Sequence, residues 1–181
     1  MDIQYEIRFH TDWHCGSGLS AGADVDALVI KNALNLPFVP GKTIKGLVRE
    51  AVEEIRALKG IDDNELSAAF GTECTSSGEG LRGTMFFTDA SLNEAESNAI
   101  VAGKLTRFMY RSIASTAIGE DGIATEHSLR RMQVTVPCVL TGRILNVPEA
   151  IADEITTSLK FIKRLGQNRN RGLGRCTFTV K

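Results

Sequence analysis

Cysteine, proline and aromatic residues are all scarce in this 181-residue chain, which has four cysteines, four prolines and 6% aromatics. Cys15, Cys74, Cys138 and Cys176 are scattered, with no C-x-x-C pair. That spacing disfavours a zinc site or a disulfide framework and fits a reducing cytosol, with small buried or half-buried thiols. No stretch approaches the ~20 apolar residues of a membrane span, so no membrane is expected among its partners. The opening Met1-Asp2-Ile3-Gln4-Tyr5 has no basic segment followed by an apolar run, so a signal peptide is not expected and a cytoplasmic location is. Internal repeats and low-complexity tracts are absent too. Nor is there an excess of either charge: the net charge is −1, which by itself argues against non-specific binding to nucleic acid. What is left is an ordinary globular composition, 43% hydrophobic and 24% charged. The length suits one good core or one domain with a small insertion, and the chain is read as a single domain over 1–181.

The charge is unevenly placed. Lys160, Lys163, Arg164, Arg169, Arg171 and Arg175 follow one another with no acid among them, and Lys42, Lys45 and Arg49 form a second basic group. Acids gather instead in Glu50–Glu65 and Asp89–Glu96. Local potential, not the total, sets contact with a polyanion. The first basic group runs into Leu165-Gly166-Gln167-Asn168-Arg169-Asn170-Arg171-Gly172-Leu173-Gly174-Arg175. Glycine admits φ > 0 and lets a ligand approach backbone N–H groups. Arginine supplies a planar fork of donors for phosphate oxygens. The loop therefore reads as a phosphate-holding element or, more plainly, as a glycine-capped helix end with a solvated basic turn. The second group lies in Pro40-Gly41-Lys42-Thr43-Ile44-Lys45-Gly46-Leu47-Val48-Arg49. Gly41 frees the backbone there, Thr43 can cap, and a helix N-terminus offers N–H groups and the positive end of a dipole. The spacing G-x-x-x-x-G-K-S/T is absent, which speaks against ATP binding.

Periodicity gives the order of elements. Ile3–Trp13 alternates as a half-exposed strand, Cys15–Asp26 is a small-residue loop, and Ala27–Lys31 reads as a short strand. A helix is expected from Thr43 to Lys59 with Gly60 as its stop, and another short helix over Asp62–Phe70. Thr72–Gly83 reads as a flexible loop and Gly83–Thr88 as a buried strand. Lys104–Met132 carries Lys104, Arg107, Arg111, His127, Arg130 and Arg131, and is broken by Ser112–Gly122 in the manner of a protruding hairpin. Gln133–Val147 alternates as one long strand. Pro148 opens a helix whose Ile151, Ile155, Leu159 and Ile162 form a stripe, running to Gly166, and Cys176–Val180 closes as a strand. The result is an α+β chain close to β-α-β-β-α-β, a ferredoxin-like (RRM-like) core with an insertion at about 107–131 and a C-terminal glycine-rich loop. Such a sheet with basic loops is a common platform for single-stranded RNA, although the low aromatic content makes base stacking a minor device here.

The pairing of Pro40-Gly41-Lys42-Thr43-Ile44-Lys45-Gly46 with Gly166-x5-Gly172-x-Gly174 resembles the RAMP (repeat-associated mysterious protein) superfamily of CRISPR systems. Within it, the chain is most similar to the backbone subunits of type III effector complexes. The likeness extends over Trp13–Lys31 and over Thr116–Gln133, where Gly119-Glu120-Asp121-Gly122-x-Ala124 and Ser128-Leu129 match a projecting hairpin. The resemblance implies an antiviral ribonucleoprotein whose subunits polymerise along a guide CRISPR RNA, with single-stranded target RNA, other CRISPR-associated subunits and copies of itself as partners. It implies that Lys42, Thr43, Lys45 and Arg49, together with Gly166, Arg169, Arg171, Gly172, Gly174 and Arg175, contact guide backbone. Arg111, Arg130 and Arg131 would belong to a hairpin that wedges between nucleotides. Members that cut target RNA use an aspartate after the first strand, which points here to Asp26 as the catalytic and metal-binding residue with a divalent cation such as Mg2+. The plainer reading makes Asp26, like Asp24, a solvated turn residue. The chain departs from the family pattern at Ala23-Asp24-Val25 and Ala27-Leu28, on either side of that aspartate. It is also short for a full backbone subunit, as a trimmed or specialised member would be.

Two other functions stay open. One is a metal-independent endoribonuclease that processes CRISPR RNA through a histidine, with His10, His14 and His127 as candidates. The other is a non-catalytic protein scaffold. Trp13 reads as a plug of the sheet edge or as a base-stacking ring at the strand end.

Overall fold

In the computed structural model, strand β1 (Ile3–Phe9) buries Ile3, Tyr5, Ile7 and Phe9 and turns Gln4 and Arg8 outward. The structure describes residues 1–22, 24–59, 64–72 and 80–181, with side chains omitted at Asn64 and Glu65. The stop at Gly60, the start of the Asp62–Phe70 helix, Ala23, Cys74 and most of the Thr72–Gly83 loop lie outside those residues. β1 pairs antiparallel with β7 (Val139–Leu145) on one side and β8 (Cys176–Val180) on the other. The sheet continues through β4 (Ala90–Ser91) to β2 (Phe38–Val39), in the order β2-β4-β7-β1-β8, while β3 (Phe86–Phe87) pairs with the far end of β7.

Two helices cover one face of this sheet. Helix α1 (Gly41–Lys59) buries Ile44, Val48, Ala51 and Val52, and helix α4 (Ala152–Phe161) buries Ile155 and Leu159. These side chains share one apolar cluster with Tyr5, Ile7, Leu140, Ile144 and Phe178 of the sheet. Removing a buried methylene cluster such as that of Ile155 costs roughly 2–5 kcal/mol. Between the helices, the buried Arg56 donates from Nε to Glu154 Oε2 at 2.8 Å. The short helix α2 (Asn64–Phe70) follows α1 and buries Leu66 and Phe70. Trp13 is buried as a plug, its ring stacked 4.4 Å from that of Phe9. Cys15 and Cys176 are buried and Cys138 is half-buried; burial pushes all three thiols up to about 12, so none is a ready nucleophile at neutral pH.

The long strand expected over Gln133–Val147 is two strands. β6 (Arg130–Thr135) ends just before Pro137, which has no N–H to give a ladder, and β7 begins at Val139. β6 leaves the main sheet and pairs along its length with β5 (Tyr110–Ser115), making a separate two-stranded arm. A Trp13–Thr135 bridge ties the arm's base to the chain after β1. The first strand stops at Phe9, earlier than Trp13: the His10 N–H still donates to the carbonyl of Arg175 in the register of β8, but by Trp13 the N–H has passed to Thr135 O of the next strand pair. Ala27–Lys31 forms isolated bridges at Ala27, Val29 and Lys31 in place of a strand. Of Gly83–Thr88, only Phe86 and Phe87 pair.

Helix α4 ends at Phe161, four residues short of Leu165. The chain beyond it is drawn into pairing with the returning loop: Cys176 N–H donates to Lys163 O, and Leu165 N–H to Gly174 O. A helix over Glu94–Ala102 (α3) was not expected, because it buries none of its residues and so has no apolar stripe. Its start was written in Asn93 and Glu96, the residue types of a capping box, of which the first half forms: Asn93 Oδ1 accepts from Glu96 N–H at 2.9 Å, and the Glu96 carboxylate accepts from the Asn93 side-chain Nδ2.

Candidate nucleic-acid interface

Three distant segments meet at one cavity of about 610 Å³: Asp26-Ala27 before the first bridges, Arg130-Arg131-Met132 of β6, and Gln167, Asn168 and Arg171 of the glycine-rich loop. Asp26 is clasped by the arm. Its N–H donates to Arg131 O at 2.8 Å and its Oδ2 accepts from Arg131 N–H at 2.7 Å. Its Oδ1 has no partner among the described residues. Arg130, Arg131 and Arg171 make no ion pair among those residues. Arg130 shares the cavity face of β6 with Met132, whereas Arg131, opposite Ala114, meets Asp26 through its backbone and turns its side chain to the other face. The cavity therefore has the guanidinium groups of Arg130 and Arg171 and one carboxylate oxygen available to a ligand.

The glycines of the loop serve two ends. Gly166 has φ +95° and its Cβ direction is filled by the carbonyl of His14; Gly174 has φ +69° and its own is filled by Leu165 O. Backbone packs against backbone here: Gly174 N–H donates to Asp12 O at 2.7 Å and Gln167 N–H to His14 O at 2.9 Å. Both glycines anchor the loop onto the segment after β1, and only Gly172, at φ +91° with no atom within 4 Å of its Cβ position, faces open space. The anchors hold a single 3-10 turn, Arg169–Arg171, started by Asn168 in the left-handed region at φ 55°. Arg171 heads for the cavity. Arg169 instead points to Glu50 at 3.7 Å, and Arg175 lies on the loop's return, its N–H donating to Thr11 Oγ1.

A second cavity, about 230 Å³, opens at the start of α1 between Gly41, Lys42 and Lys45 and the segment Arg82–Phe87. Lys42, Lys45 and Arg82 have no acidic partner among the described residues. The helix begins at Gly41, two residues before Thr43, so Thr43 does not cap it; its N–H donates to Pro40 O. The cap is remote: Gly41 N–H donates to Asp89 Oδ1 at 2.8 Å. Gly41 has no room for a Cβ because Phe87 O occupies the place, so this glycine serves the helix–strand approach. Arg49 lies about two turns further on, held by Glu53 at 2.7 Å.

Arg111 is committed elsewhere. Its guanidinium pairs with Oδ2 of Asp12, a carboxylate only 5% exposed, and so joins the arm to the end of β1. At the far end of the arm Ile118, Ile123 and Leu129 are exposed. The histidines divide as well. His10 Nε2 sits 2.8 Å from Thr177 Oγ1 on the open sheet face, His127 is exposed near the tip of the arm, and His14 is fully buried. No group of three or more His, Cys, Asp or Glu side chains converges among the described residues. Asp26 could give a cation one oxygen; Mg2+ commonly takes one or two carboxylates and fills its octahedron with phosphates and water. The donor set fits such an ion only in company with a phosphate.

The sequence pattern of residues 6–177 matches the model of the RAMP superfamily. The chain belongs to the RAMP superfamily. No curated protein sequence matches it. Its fold is similar to that of a chain in the cryo-EM structure of the Type III-B Cmr-beta bound to cognate target RNA, with TM-score 0.74 and 10% identity over 99% of this chain and 97% of that one. A chain of Type III-B Cmr-beta in the apo state is similar at TM-score 0.73 and 11% identity, with the same coverage. Identities this low show the mixed α/β fold with its antiparallel sheets. Arg82 and Phe86 of this RAMP chain had no signal in the sequence, because the strand and the loop that bring them to α1 are defined only by tertiary pairing. Gln167 and Asn168 stand inside the glycine-rich motif, between Gly166 and Arg169, where neither charge nor glycine marks them.

Proposed function

We propose that this chain is an RNA-binding backbone subunit of a type III CRISPR ribonucleoprotein, a cytoplasmic complex in which it holds guide RNA beside further subunits and copies of itself. The observation that carries the reading is the convergence of Arg130 and Arg171 with Asp26 at one cavity, from segments about 40 to 100 residues apart in sequence. Guanidinium forks favour phosphate oxygens, and a cavity that offers two of them suits a nucleic-acid backbone. The structural neighbour described as bound to cognate target RNA supports the same class of ligand. The sheet order β8-β1-β7-β3, with α1 and α4 on one face, supports a ferredoxin-like core, carried as one domain with β5 and β6 as its projecting insertion. Lys42, Lys45 and Arg82 would hold a further stretch of the same strand. Sequence would be read by base pairing of the guide, not by side chains.

In this reading Asp26 faces target RNA. Its free Oδ1 is suited to orient a 2′-hydroxyl or to complete the shell of a divalent cation already held by a phosphate. Such a cation would supply charge stabilisation at the phosphorus. Processing by a histidine without metal has less support, since His10 is tied to Thr177 and His14 is enclosed.

The test is binding of the purified chain to single-stranded RNA and to length-matched duplex DNA across a salt series. The expected result is preference for the single strand, with log K falling by about 0.7 per decade of salt for each phosphate contacted. Binding to neither, alone or within an assembled complex, would leave the scaffold function. For cutting, Asp26→Ala should preserve assembly and abolish metal-dependent cleavage of target RNA; continued cleavage would remove Asp26 from the chemistry.

A further inference from the structure

His14 is 0% exposed, and its ring has one partner. Nδ1 lies 2.6 Å from the carbonyl of Gln133 in β6, and a carbonyl only accepts, so Nδ1 carries the hydrogen. In the neutral ring that leaves the lone pair on Nε2, which has no partner among the described residues. A buried acceptor left alone is a cost that folded proteins rarely carry without a use.

The free nitrogen lies buried in the wall of a cavity, beside Gly16. His14 lines a third cavity of about 300 Å³ together with Gly16, Gly18, Asp26 and Gln167. Glycine keeps this wall thin: a Cβ at Gly16 would stand 3.1 Å from His14 Nε2, and the next residue beside it is Gln167, with Nε2 at 3.8 Å. Asp26, Ala27 and Gln167 line both this cavity and the one lined by Arg130 and Arg171. The two spaces adjoin across Asp26, one rich in donors for phosphate and the other offering two acceptors without partners, Asp26 Oδ1 and His14 Nε2.

A ligand that satisfies both sides carries an anion next to hydroxyl donors. In a nucleic-acid strand the sugar follows each phosphate, and only ribose has a donor at the 2′ position. We propose that His14 is a specificity-determining residue that reads ribose, its Nε2 accepting a hydrogen bond from a 2′-hydroxyl that enters the cavity beside Asp26. The proposal rests on the RNA reading above and names the sugar as what that site distinguishes.

The probes are one single-stranded sequence made as RNA, as DNA, and as RNA in which fluorine replaces every 2′-hydroxyl, removing the donor while keeping a compact polar group. Wild-type protein is expected to bind RNA about fivefold or more tightly than the fluoro strand or DNA, the worth of one hydrogen bond with its partner buried. His14→Phe should bring that ratio to about one while the salt dependence, set by the arginines, is unchanged. Gly16→Ala should do the same with the His14–Gln133 contact intact, since its methyl group stands against Nε2, and it serves if His14→Phe does not fold. Equal binding of all three strands by wild-type protein overturns the ribose reading and leaves nucleic-acid binding in place. A ratio unchanged in a folded variant also overturns it, and failure of the wild type to bind any strand overturns the RNA reading beneath it.

Discussion

The cavity at Asp26 and the cavity at the start of α1 each gather cations that have no acidic partner among the described residues, yet they differ in what stands beside those cations. At Asp26 a carboxylate oxygen and a buried imidazole nitrogen lie within or next to the basic surface. At α1 the neighbours of Lys42, Lys45 and Arg82 are Met85, Phe86 and Phe87, with no titratable group other than the cations lining the space. Under the proposed function the first arrangement would hold a phosphate beside groups that meet the sugar next to it. The second would hold the strand by its cations. They differ in construction too: the first is closed by a loop pinned through Gly166 and Gly174, the second by a helix and the short strand β3 it approaches at Gly41.

That contrast can be broken most severely at the pinned loop. Gly174→Ala is expected to cost more than the roughly 1–3 kcal/mol of a residue forced into the left-handed region, because its methyl group would also meet Leu165 O. Gly172→Ala, in open space, should cost the strain alone. Thermal unfolding of the pair separates anchor from loop, and equal midpoints would show that Gly174 is no anchor. Next in size is Arg111→Ala, which strips the buried Asp12 of its ion partner. A loss of about 2 kcal/mol, seen in the denaturation midpoint, is expected from an acceptor left buried without its donor. A variant as stable as the parent that instead lost RNA affinity would return Arg111 to the interface.

Removing the free cations should be a matter of affinity, not folding. The triple variant Arg130→Ala, Arg131→Ala, Arg171→Ala is expected to lower the salt slope of RNA binding by roughly 2, at about 0.7 per phosphate, with at least a tenfold loss at low salt. The matching triple variant at Lys42, Lys45 and Arg82 should lose a similar slope but leave any preference for ribose intact, so equal effects on that preference would erase the distinction between the cavities. The smallest effect is predicted at Arg49. Its Nε is already held by Glu53 at 2.7 Å, so Arg49→Ala should change affinity less than Lys45→Ala does.

The residues legible in the sequence were those whose signal is local. The stripes Ile44, Val48, Ala51 and Ile155, Leu159 announced α1 and α4, and the alternation of Ile3, Tyr5, Ile7 and Phe9 announced β1. The basic groups were equally visible, since charge is written in composition. Which cations are free was not. Arg49, Arg111 and Arg169 look like Lys42, Arg131 and Arg171 in the sequence, and only folding brings Glu53, Asp12 and Glu50 to the first three. Asp26 drew notice through its resemblance to a family aspartate; its clasp by Arg131 joins residues 105 apart. α3 hid because a helix that buries nothing has no stripe, although the residue types of a capping box were there to read.

The remote cap of α1 makes the second cavity a filter of a particular kind. Asp89 is a tethered anion, present at the Gly41 N–H at an effective concentration that, for groups held in one structure, is millimolar or higher. A lone phosphate ion in dilute solution cannot displace such a competitor. A polyanion that arrives already neutralised along its length need not try: it can engage Lys42, Lys45 and Arg82 from the side and leave the carboxylate in its seat. Under the proposed function the helix end would answer to polymers and not to their monomers.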